Sequence, residues 1–524
     1  MIGFIRRSAI FLLASLLALP AAAGAAGGGD AVIDNLPIYE MLTVAGTGDY
    51  GEIDGDRQTA EFRMPSGVAV DAAGRIIVAD TGNQMVRTIA ADGGVTTTAG
   101  ILIGFDDFGF PEPGYADGPA DESAFDAPTG IAVDGAGRII VADPGNHAIR
   151  AISPDGTVTT VAGTGILGLT DGPAAEAAFY YPMDVAVSPT GVIYVADTLN
   201  HVIRKIENGR VTTLNAPSER VVEIFPGVVD ITGDFRDGKL SEALFNEPSG
   251  IAIDAKGNLY VADTGNQRIR YIDLQEGTVT TVAGGGELLA DAAYVEGGYA
   301  DGKAEEARFN APRGIDITPD GGLLIADSLN HVIRYLKDGA VTTVAGVPGE
   351  SGKWDGVARA GSLSLPTDVK YVGAGAIAIA DSGNNRIRIV RPSVLPAGLE
   401  GDAVEIVFRG VVLRSDVEPI PINGTTFVPV RVITEELGYA VDYGSDGVTT
   451  LTLGDVWYKI RGGSTTVESS SGDLQLPQAP FYQDNRLFLP VRFFAEQMGL
   501  HVQWLGDVRA VLIRDRLTGL QYLN

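Results

Sequence analysis

The 524-residue sequence contains no cysteine, only 7% aromatic residues, and no apolar run long enough for a membrane-spanning helix. Without cysteine, disulfides, thiolate metal sites, cysteine nucleophiles and a lipid-modified N-terminal cysteine are all excluded. Basic residues are scarce as well, because 38 Lys plus Arg stand against 67 Asp plus Glu, which gives a formal charge of −29. A nucleic-acid binder needs a basic surface to follow the phosphates, so nucleic acid is not an expected partner.

Residues 1–26 have the pattern of a secretory signal peptide. Arg6 and Arg7 precede an apolar run over residues 9–19, and small residues follow it. The run is shorter than the ~20 residues that a spanning helix needs, so we expect cleavage and no membrane span afterwards. The sequence therefore predicts a secreted or envelope-associated bacterial protein.

One short pattern, Ala-Asp-x-x-Asn-x-x-(Ile/Val)-Arg, occurs six times. Each Asp follows a proline by fifteen positions, and an Asp-Gly pair precedes that proline by eleven. Three landmarks in constant register indicate six copies of one structural repeat. The Asp residues are Asp80, Asp143, Asp197, Asp263, Asp327 and Asp381, and the Arg residues are Arg87, Arg150, Arg204, Arg270, Arg334 and Arg388.

The first five copies each contain four short β-rich runs separated by Gly, Asp and Asn turns, as in residues 130–162. Such a unit predicts an antiparallel four-stranded sheet, and radial repetition of that sheet gives a β-propeller. The sixth copy lacks its fourth run, whereas a matching Leu-Thr-Val-Ala-Gly run lies near the start of the chain. We therefore predict that residues 39–46 complete the last blade and close the ring.

The unit at 248–270, Pro-x-Gly-Ile-Ala-Ile-Asp followed by Val-Ala-Asp-Thr-x-Asn-Gln-x-Ile-Arg, resembles the NHL repeat. The resemblance covers residues 39–390 and implies a six-bladed β-propeller. Members of this family include protein-binding and RNA-binding modules, and related propellers include amidating lyases and lactonases, so the fold does not define the function. Amidating lyases have metal-binding histidines just after the blade proline. Here that position holds Ser66, Thr129, Met183, Ser249, Arg313 and Thr367.

The recurring Asp and Arg residues are predicted to form structural ion pairs or turn clamps, because a catalytic centre does not need six copies of one pair. The Asn of each copy, such as Asn83, suits a turn position with positive φ. Three histidines, His147, His201 and His331, share one repeat position and would be spread around the ring. They are therefore not expected to converge on a zinc ion.

The repeats differ in length only between the Arg and the next Asp-Gly pair, where the gaps are 30, 21, 33, 31 and 21 residues. Because antiparallel strands alternate in direction, these connections emerge on the same face as the loop between strands two and three. We predict that aromatic and acidic residues on this face bind a protein, a peptide or a cell-envelope glycan. The alternative is that the aromatic residues pack within their own loops. The predicted binding residues are Phe105, Asp106, Asp107, Phe108, Phe110, Tyr115, Phe225, Phe235, Tyr294 and Tyr299.

A second domain is predicted at 403–515, after a linker at 391–402. A Phe-x-Pro-Val-Arg motif occurs twice, ending at Arg431 and Arg492, and a helical stretch and a strand follow each copy. This duplicated α+β pattern resembles the N-terminal stalk domain of copper amine oxidases, which is also found in exported bacterial proteins. The resemblance does not imply copper, because His501 is the only histidine in this part of the sequence.

The main hypothesis is a non-catalytic binding or scaffold protein, exported to the bacterial cell envelope and needing no cofactor. It is mainly β, a six-bladed propeller followed by a small stalk-like domain. The alternative is a calcium-dependent lactonase, esterase or lyase that uses the central channel, with Asp184, Asp316 and Asp368 as carboxylate ligands. A purely structural envelope component is a third possibility that the sequence does not separate from the first.

Overall fold

The structure, a computed structural model, divides the chain into two compact units. The first consists mainly of residues 41–353 and 358–391, and the second mainly of residues after 391. The predicted signal peptide at 1–26 and most of the predicted linker at 391–402 lie outside the described residues. Within the described part of the chain, no helix has the length and apolar character needed to cross a membrane. The described residues are 39–359, 361–392, 399, 403–408, 411–415, 417–422, 424–434, 436–493, 500–505 and 509–515.

Six antiparallel sheets, one for each repeat, form the first unit and confirm the predicted six-bladed propeller. The second strand of a blade, such as Ile139–Asp143, is buried along its whole length because other strands cover both of its faces. The main strands are Gly67–Val70, Ile76–Asp80, Met85–Ile89 and Val95–Ala99 in blade one; Ile131–Val133, Ile139–Asp143, Ala148–Ile152 and Thr157–Ala162 in blade two; Pro182–Val187, Ile193–Asp197, Val202–Glu207 and Arg210–Thr213 in blade three; Pro248–Ile253, Leu259–Asp263, Arg268–Asp273 and Thr278–Gly284 in blade four; Pro312–Ile317, Leu323–Asp327, Val332–Lys337 and Ala340–Ala345 in blade five; and Pro366–Gly373, Ala376–Asp381 and Arg386–Pro392 in blade six.

Smaller strands occur in the connections between the blades. Two-residue strands lie at the Asp-Gly positions of repeats two to six, and a separate hairpin lies between blades three and four. The two-residue strands are Gly118–Pro119, Gly172–Pro173, Gly238–Lys239, Gly302–Lys303 and Gly356–Val357, and the hairpin strands are Val221–Phe225 and Val228–Ile231.

The sixth blade takes its fourth strand from the beginning of the described chain. Strand Tyr39–Ala45 lies beside Arg386–Pro392 in the same sheet, as the missing sixth run predicts. Met41 in this strand is fully buried, and the Arg386 guanidinium donates a hydrogen bond to the carbonyl of Thr47 at 2.8 Å. The first and last repeats thus share one sheet, which closes the ring.

Alternating strand directions give the propeller two different faces. The loop face carries the connections between blades and the turns between strands two and three, and the turn face carries the other turns. Turn-face turns are short and are closed by their own side chains. In the first, the Asp71 carboxylate accepts the backbone N–H groups of Ala73 and Arg75 at 3.0 and 2.9 Å. Asp134 accepts two backbone N–H groups in the same way in blade two.

Each turn between strands two and three is a short 3-10 helix, Thr81–Asn83 in blade one. The positive φ belongs to the next residue, Gln84 at 62°, so the prediction of positive φ at Asn83 is wrong. The Asn83 amide instead donates hydrogen bonds to the Asp80 carboxylate at 2.7 Å and to the Gly51 carbonyl at 2.6 Å, which leaves the reversal to the next residue. The equivalent left-handed residues are His147, His201, Gln267, His331 and Asn385.

The second unit contains three small sheets and a short helix, Val430–Thr434, around a common apolar core. Its strands are Glu405–Phe408, Val411–Leu413, Ile420–Ile422, Thr425–Pro429, Ala440–Tyr443, Val448–Leu453, Val456–Arg461, Thr466–Ser469, Leu474–Gln475, Phe481–Gln483, Arg486–Pro490, Leu500–Leu505 and Ala510–Asp515.

The two copies of the repeated motif lie side by side in this unit. Strands Thr425–Pro429 and Arg486–Pro490 pair antiparallel, with Val428 opposite Leu489. The helix follows the first strand, and residues 491–493 are helical after the second. The predicted internal duplication is therefore present as two equivalent strand–helix segments.

Candidate functional site

In every repeat the recurring Asp and Arg form an ion pair whose two side chains are fully buried. Arg150 Nη1 lies 2.8 Å from Asp143 Oδ2, and the other five distances are 2.6–2.9 Å. Asp143 also accepts hydrogen bonds from the Asn146 amide and the Asp126 backbone N–H. Burial raises the pKa of Asp143 to about 7, although the guanidinium and the donors favour its charged form. These extra hydrogen bonds offset the desolvation of the pair, which has the geometry of a structural clamp.

In blades one to five, the arginine of the clamp also contacts the Asp-Gly pair and an aromatic ring. Arg150 Nη2 lies 2.6 Å from Asp117 Oδ1, and the other oxygen of Asp117 accepts the Thr160 backbone N–H. The guanidinium lies over the buried ring of Phe125, 5.1 Å from its centroid. The equivalent rings in blades one, three, four and five are Phe62, Phe179, Phe245 and Phe309.

The three equivalent histidines accept hydrogen bonds from the next blade. His201 Nδ1 accepts the backbone N–H of Glu247 at 3.0 Å, and His147 and His331 make the same contact at 3.2 and 3.1 Å. Burial lowers the pKa of His201 to about 4 and also lowers the pKa of the other two. Because an imidazolium cannot accept a hydrogen bond, these residues join blades in their neutral form.

Asp184 and Asp368 face the propeller axis from blades three and six. Asp184 Oδ2 accepts the Ile251 N–H of blade four at 2.9 Å, and Asp368 Oδ2 accepts the Val68 N–H of blade one at 2.8 Å. Burial raises the pKa of Asp184 to about 7, and burial together with Asp184 raises that of Asp368 well above its ordinary value. Each carboxylate thus links its own blade to the following one.

Asp316 pairs with an amine on the neighbouring blade. Lys370 Nζ lies 2.6 Å from Asp316 Oδ1, and the Tyr371 N–H donates to the other oxygen at 2.8 Å. Burial alone would lower the pKa of Lys370, but Asp316 and the two axial carboxylates outweigh it and raise the pKa. An amine on the neighbouring blade therefore neutralises Asp316. Among the described residues, no group of three or more His, Cys, Asp or Glu side chains could hold a metal.

A narrow cavity lies on the axis at the loop face, where the innermost strands begin. The residues that follow the six blade prolines line it, together with Asp184 and Asp368. Its volume is about 30 Å³, which is room for about two water molecules. The cavity itself is therefore too small to enclose a whole ligand, and a larger molecule can reach only its mouth.

Within residues 41–353, the exposed large apolar side chains lie in the connections between blades and in the turns between strands two and three. Phe108 is 85% exposed and Ile166 71%, and no described turn-face turn in residues 41–353 carries such a side chain. The exposed set in this part of the chain comprises Tyr50, Ile53, Ile103, Phe105, Phe108, Phe110, Tyr115, Ile166, Leu167, Leu169, Val221, Val228, Val229, Ile231, Leu289, Tyr294, Tyr299 and Leu329.

Three of the predicted binding residues, Tyr115, Phe235 and Tyr299, pack on the clamp arginines of their own blades. The centroids of their rings lie 4.7–4.9 Å from the guanidinium carbons. The Tyr115 hydroxyl also contacts the Thr160 hydroxyl, and the Tyr299 hydroxyl donates to Asp301. These three aromatic rings support the loops on the blades, in line with the self-packing alternative.

The first long loop presents the other predicted residues differently. The Asp106 carboxylate accepts the backbone N–H groups of Phe108 and Phe110, both at 2.9 Å, so it closes a turn inside the loop. Asp107 is exposed, and so are the rings of Phe105, Phe108 and Phe110. This loop therefore carries three accessible phenylalanine rings on a turn with a defined conformation.

The two long loops on either side of blade four contact each other. Arg220 in the first loop donates hydrogen bonds to the carbonyls of Leu289, Ala290 and Ala292 in the second. Tyr294, another predicted binding residue, is half exposed and donates from its hydroxyl to a Glu247 carboxylate oxygen at 2.7 Å. The side chain of Phe225, the last predicted residue, lies outside the described part of the structure.

Sequence reasoning did not identify three features of this region. The buried phenylalanines lie three residues before the blade prolines, a constant spacing that the sequence already contains. Lys370 and Asp316 occupy one repeat position where the other blades have alanine, so an exception within the repeat was the available signal. In the sequence Arg313 differs from its equivalents only by its charge, because its position at the axis depends on the packing of all six blades.

Two family models match the chain. The NHL repeat matches residues 62–88, 125–152 and 245–270, and the copper amine oxidase N-terminal domain matches residues 407–513. The fold and the repeats thus define a six-bladed β-propeller protein with a second α+β domain. Three of its six repeats match the NHL repeat, and its second domain matches the copper amine oxidase N-terminal domain.

The chain is also similar to several known proteins. It is 26% identical over 397 residues to the chloroplastic protein SUPPRESSOR OF QUENCHING 1 of Arabidopsis thaliana, covering 73% of this chain and 34% of that protein. It is 30% identical over 354 residues to NHL repeat-containing protein 2 of Gallus gallus, covering 62% and 46%. A solved auxiliary nutrient binding protein from Bacteroides thetaiotaomicron VPI-5482 is 17% identical, with a TM-score of 0.48 and coverage of 68% and 76%. The chain spans about a third to a half of the length of these two curated relatives.

Proposed function

We propose that this protein is an exported, non-catalytic binding protein of the bacterial cell envelope and that its loop face recognises a peptide or protein partner. The observation that carries the proposal is that, in residues 41–353, exposed large apolar side chains occur in the loop-face connections and turns and not in the described turn-face turns. Exposed apolar side chains gathered in one set of loops favour an interaction site, because exposing them to water is unfavourable.

The loops of this face are held in place, which favours binding. The Asp106 carboxylate fixes the turn that carries Phe108, and Arg220 ties two other loops together. The arginine clamps beneath hold the blades themselves. A surface that is ordered before it meets its partner loses less conformational entropy on binding, so affinity per contact is higher.

Aliphatic side chains favour a peptide or protein over a glycan as the partner. Ile166, Leu167 and Leu289 are exposed together with the phenylalanines, and aliphatic side chains bind by excluding water from another apolar surface. We further propose that the signal-peptide pattern at 1–26 directs export and that the second domain attaches or spaces the propeller at the envelope.

Binding arrays of envelope-derived peptides, proteins and glycan fragments test this function. We expect the mature protein to bind a peptide or protein, and the triple variant Phe105→Ser, Phe108→Ser, Phe110→Ser to lose that signal. The matched turn-face variant Ala72→Ser, Ala136→Ser, Lys256→Ser changes exposed residues of the opposite face and is expected to keep it. Equal signals from both triple variants would refute recognition by the loop face.

A further inference from the structure

Arg313 places a guanidinium at the axial cavity without a protein partner. It is the residue after the proline of blade five, it lines the cavity, and its side chain is neither fully buried nor fully exposed. Among the described residues it has no hydrogen-bond or ion-pair partner, unlike the six clamp arginines. An arginine that loses hydration without gaining a partner is costly for the fold, so its place at a ligand-accessible mouth needs another explanation.

The nearby charged groups form no ion pair with Arg313. Asp184 and Asp368, which also line the cavity, accept backbone N–H groups of the following blades. The Glu247 carboxylate is close enough to influence its charge, but one carboxylate oxygen accepts the Tyr294 hydroxyl and there is no ion pair with Arg313. Lys370, the other cation near the axis, is paired with Asp316. Arg313 is therefore the one cation among the described cavity-lining residues that is available to an incoming anion.

The backbone of Arg313 is held firmly by the neighbouring blade. A Cβ atom at Gly250 would lie 2.2 Å from the Arg313 carbonyl oxygen, so the glycine allows the two innermost strands to approach closely. Half-buried apolar or aromatic side chains, Met64, Tyr181 and Leu365, directly precede the prolines of three blades and so lie next to the lining residues. The mouth thus combines one cation with serine and threonine hydroxyls, the two axial carboxylates and these half-buried apolar side chains.

We propose that Arg313 binds the free C-terminal carboxylate of a peptide whose last residues are apolar. This inference rests on the proposed function and names the chemical group that the loop face recognises. A planar carboxylate matches the guanidinium fork. The cavity below has room for about two waters, so a chain end fits the mouth whereas a continuous chain segment cannot pass through it. A phosphate dianion carries twice the charge of a carboxylate, so Glu247 and the two axial carboxylates disfavour it more strongly.

Calorimetric titration of the full mature chain tests the site with four probes: N-acetyl-valyl-leucine, its C-terminal amide, galacturonate and inorganic phosphate. We expect saturable binding of the free acid and no binding of the amide. Arg313→Met should lower the affinity for the free-acid peptide by about tenfold or more, since a charge-assisted hydrogen-bonded pair is lost. Arg313→Lys keeps the positive charge but not the two parallel N–H donors. Its affinity for the free-acid peptide should lie between those of the wild type and Arg313→Met.

Arg308→Met is the matched control, because Arg308 is an exposed arginine of the same blade that does not line the cavity. It is expected to bind the free acid as the wild type does. Thermal unfolding of each variant separates loss of the site from loss of the fold. Equal binding of acid and amide, or unchanged binding in Arg313→Met, would overturn the proposal. Preference for galacturonate or phosphate would show that the anion is not a peptide carboxylate.

This test is independent of the one for the proposed function. If the phenylalanine triple variant loses its partner while Arg313→Met retains it, the loop face binds and the carboxylate site is wrong. If the free acid requires Arg313 but the phenylalanine variant retains every partner, the axial site stands and recognition by the phenylalanine loop does not.

Discussion

The two faces of the propeller are built from the same six repeats, yet they differ in the length of their loops and in the side chains that these loops expose. Turn-face turns are short and nearly uniform, and Asp71 and Asp134 close theirs with their own carboxylates. Loop-face connections range from 21 to 33 residues between the Arg and the next Asp-Gly pair, and they carry the exposed apolar side chains. A constant scaffold thus supports one variable surface, which is where binding is expected in a repeat propeller.

The clamp explains how the loop face can vary without loss of the fold. In blades one to five, each clamp joins a buried Asp, an Arg and an Asp-Gly pair that follows a connection between blades, as Asp117 does in blade two. The chain is therefore fixed at both ends of the loop, whatever its length. Variation in the loop then costs little beyond loop-closure entropy, which rises slowly with length.

The largest stability effect is expected from removing the strand that closes the ring, which both faces need. Deleting residues 30–47 removes Tyr39–Ala45 from blade six and exposes the edge of Arg386–Pro392. Loss of the buried Met41 and Leu42 side chains alone is expected to cost about 5 kcal/mol or more. Chemical denaturation measures this loss, and an unchanged unfolding midpoint would show that the ring closes without this strand.

A clamp and a turn-face ion pair of the same blade are expected to differ sharply. Arg150→Met leaves the Asp143 carboxylate buried without its cation, which is expected to cost about 3–5 kcal/mol of unfolding free energy. Arg138→Met breaks an exposed pair with Asp134 on the turn face and should cost less than about 1 kcal/mol. Urea denaturation of both variants measures the two losses of unfolding free energy. Equal losses would contradict the expected difference between the buried and the exposed pair.

Acid is expected to weaken the contacts between blades through His201. Its pKa of about 4 in the fold lies below the ordinary 6.5, so the unfolded chain binds the proton more readily between these values. This contribution, roughly 3 kcal/mol, is complete above pH 6.5 and is lost as the pH falls towards 4. Unfolding measured across this range should show the loss.

His201→Gln is the matched variant, because two other blades already have glutamine at this position. The Gln84 and Gln267 side-chain oxygens accept the equivalent backbone N–H groups at 2.5 and 2.7 Å. The variant should keep the acceptor and have a flatter stability profile than the wild type between pH 6.5 and 4. Identical pH profiles for the two proteins would contradict this role of His201.

The smallest stability effect is expected on the loop face itself. Phe108→Ser removes a ring that is 85% exposed, so the unfolding free energy should change by no more than about 0.5 kcal/mol. Tyr115→Ser, on the same connection, should cost more because its ring packs on Arg150. If Phe108→Ser were the more destabilising variant in thermal unfolding, the division between exposed and supporting aromatics would be wrong.

Much of the architecture could be predicted because it repeats. Six equal spacings define the blades and the partners of each clamp, and the missing sixth run indicates the closing strand. The exceptions were harder to predict. The sequence does not distinguish an aromatic loop residue that binds a partner from one that packs on its own blade, as Tyr115 packs on Arg150. Similarly, the absence of a partner for Arg313 depends on side chains from several blades meeting at the axis.

The most direct test of the central claim compares the two faces against the strongest ligand found on the arrays. Its affinity is measured by calorimetry for the wild type, the loop-face triple variant at Phe105, Phe108 and Phe110, and the turn-face triple variant at Ala72, Ala136 and Lys256. Our account predicts that the loop-face variant binds about tenfold or more weakly, as expected when central aromatic contacts are removed, while the turn-face variant matches the wild type. Unchanged affinity in the loop-face variant, or a larger loss in the turn-face variant, would contradict it.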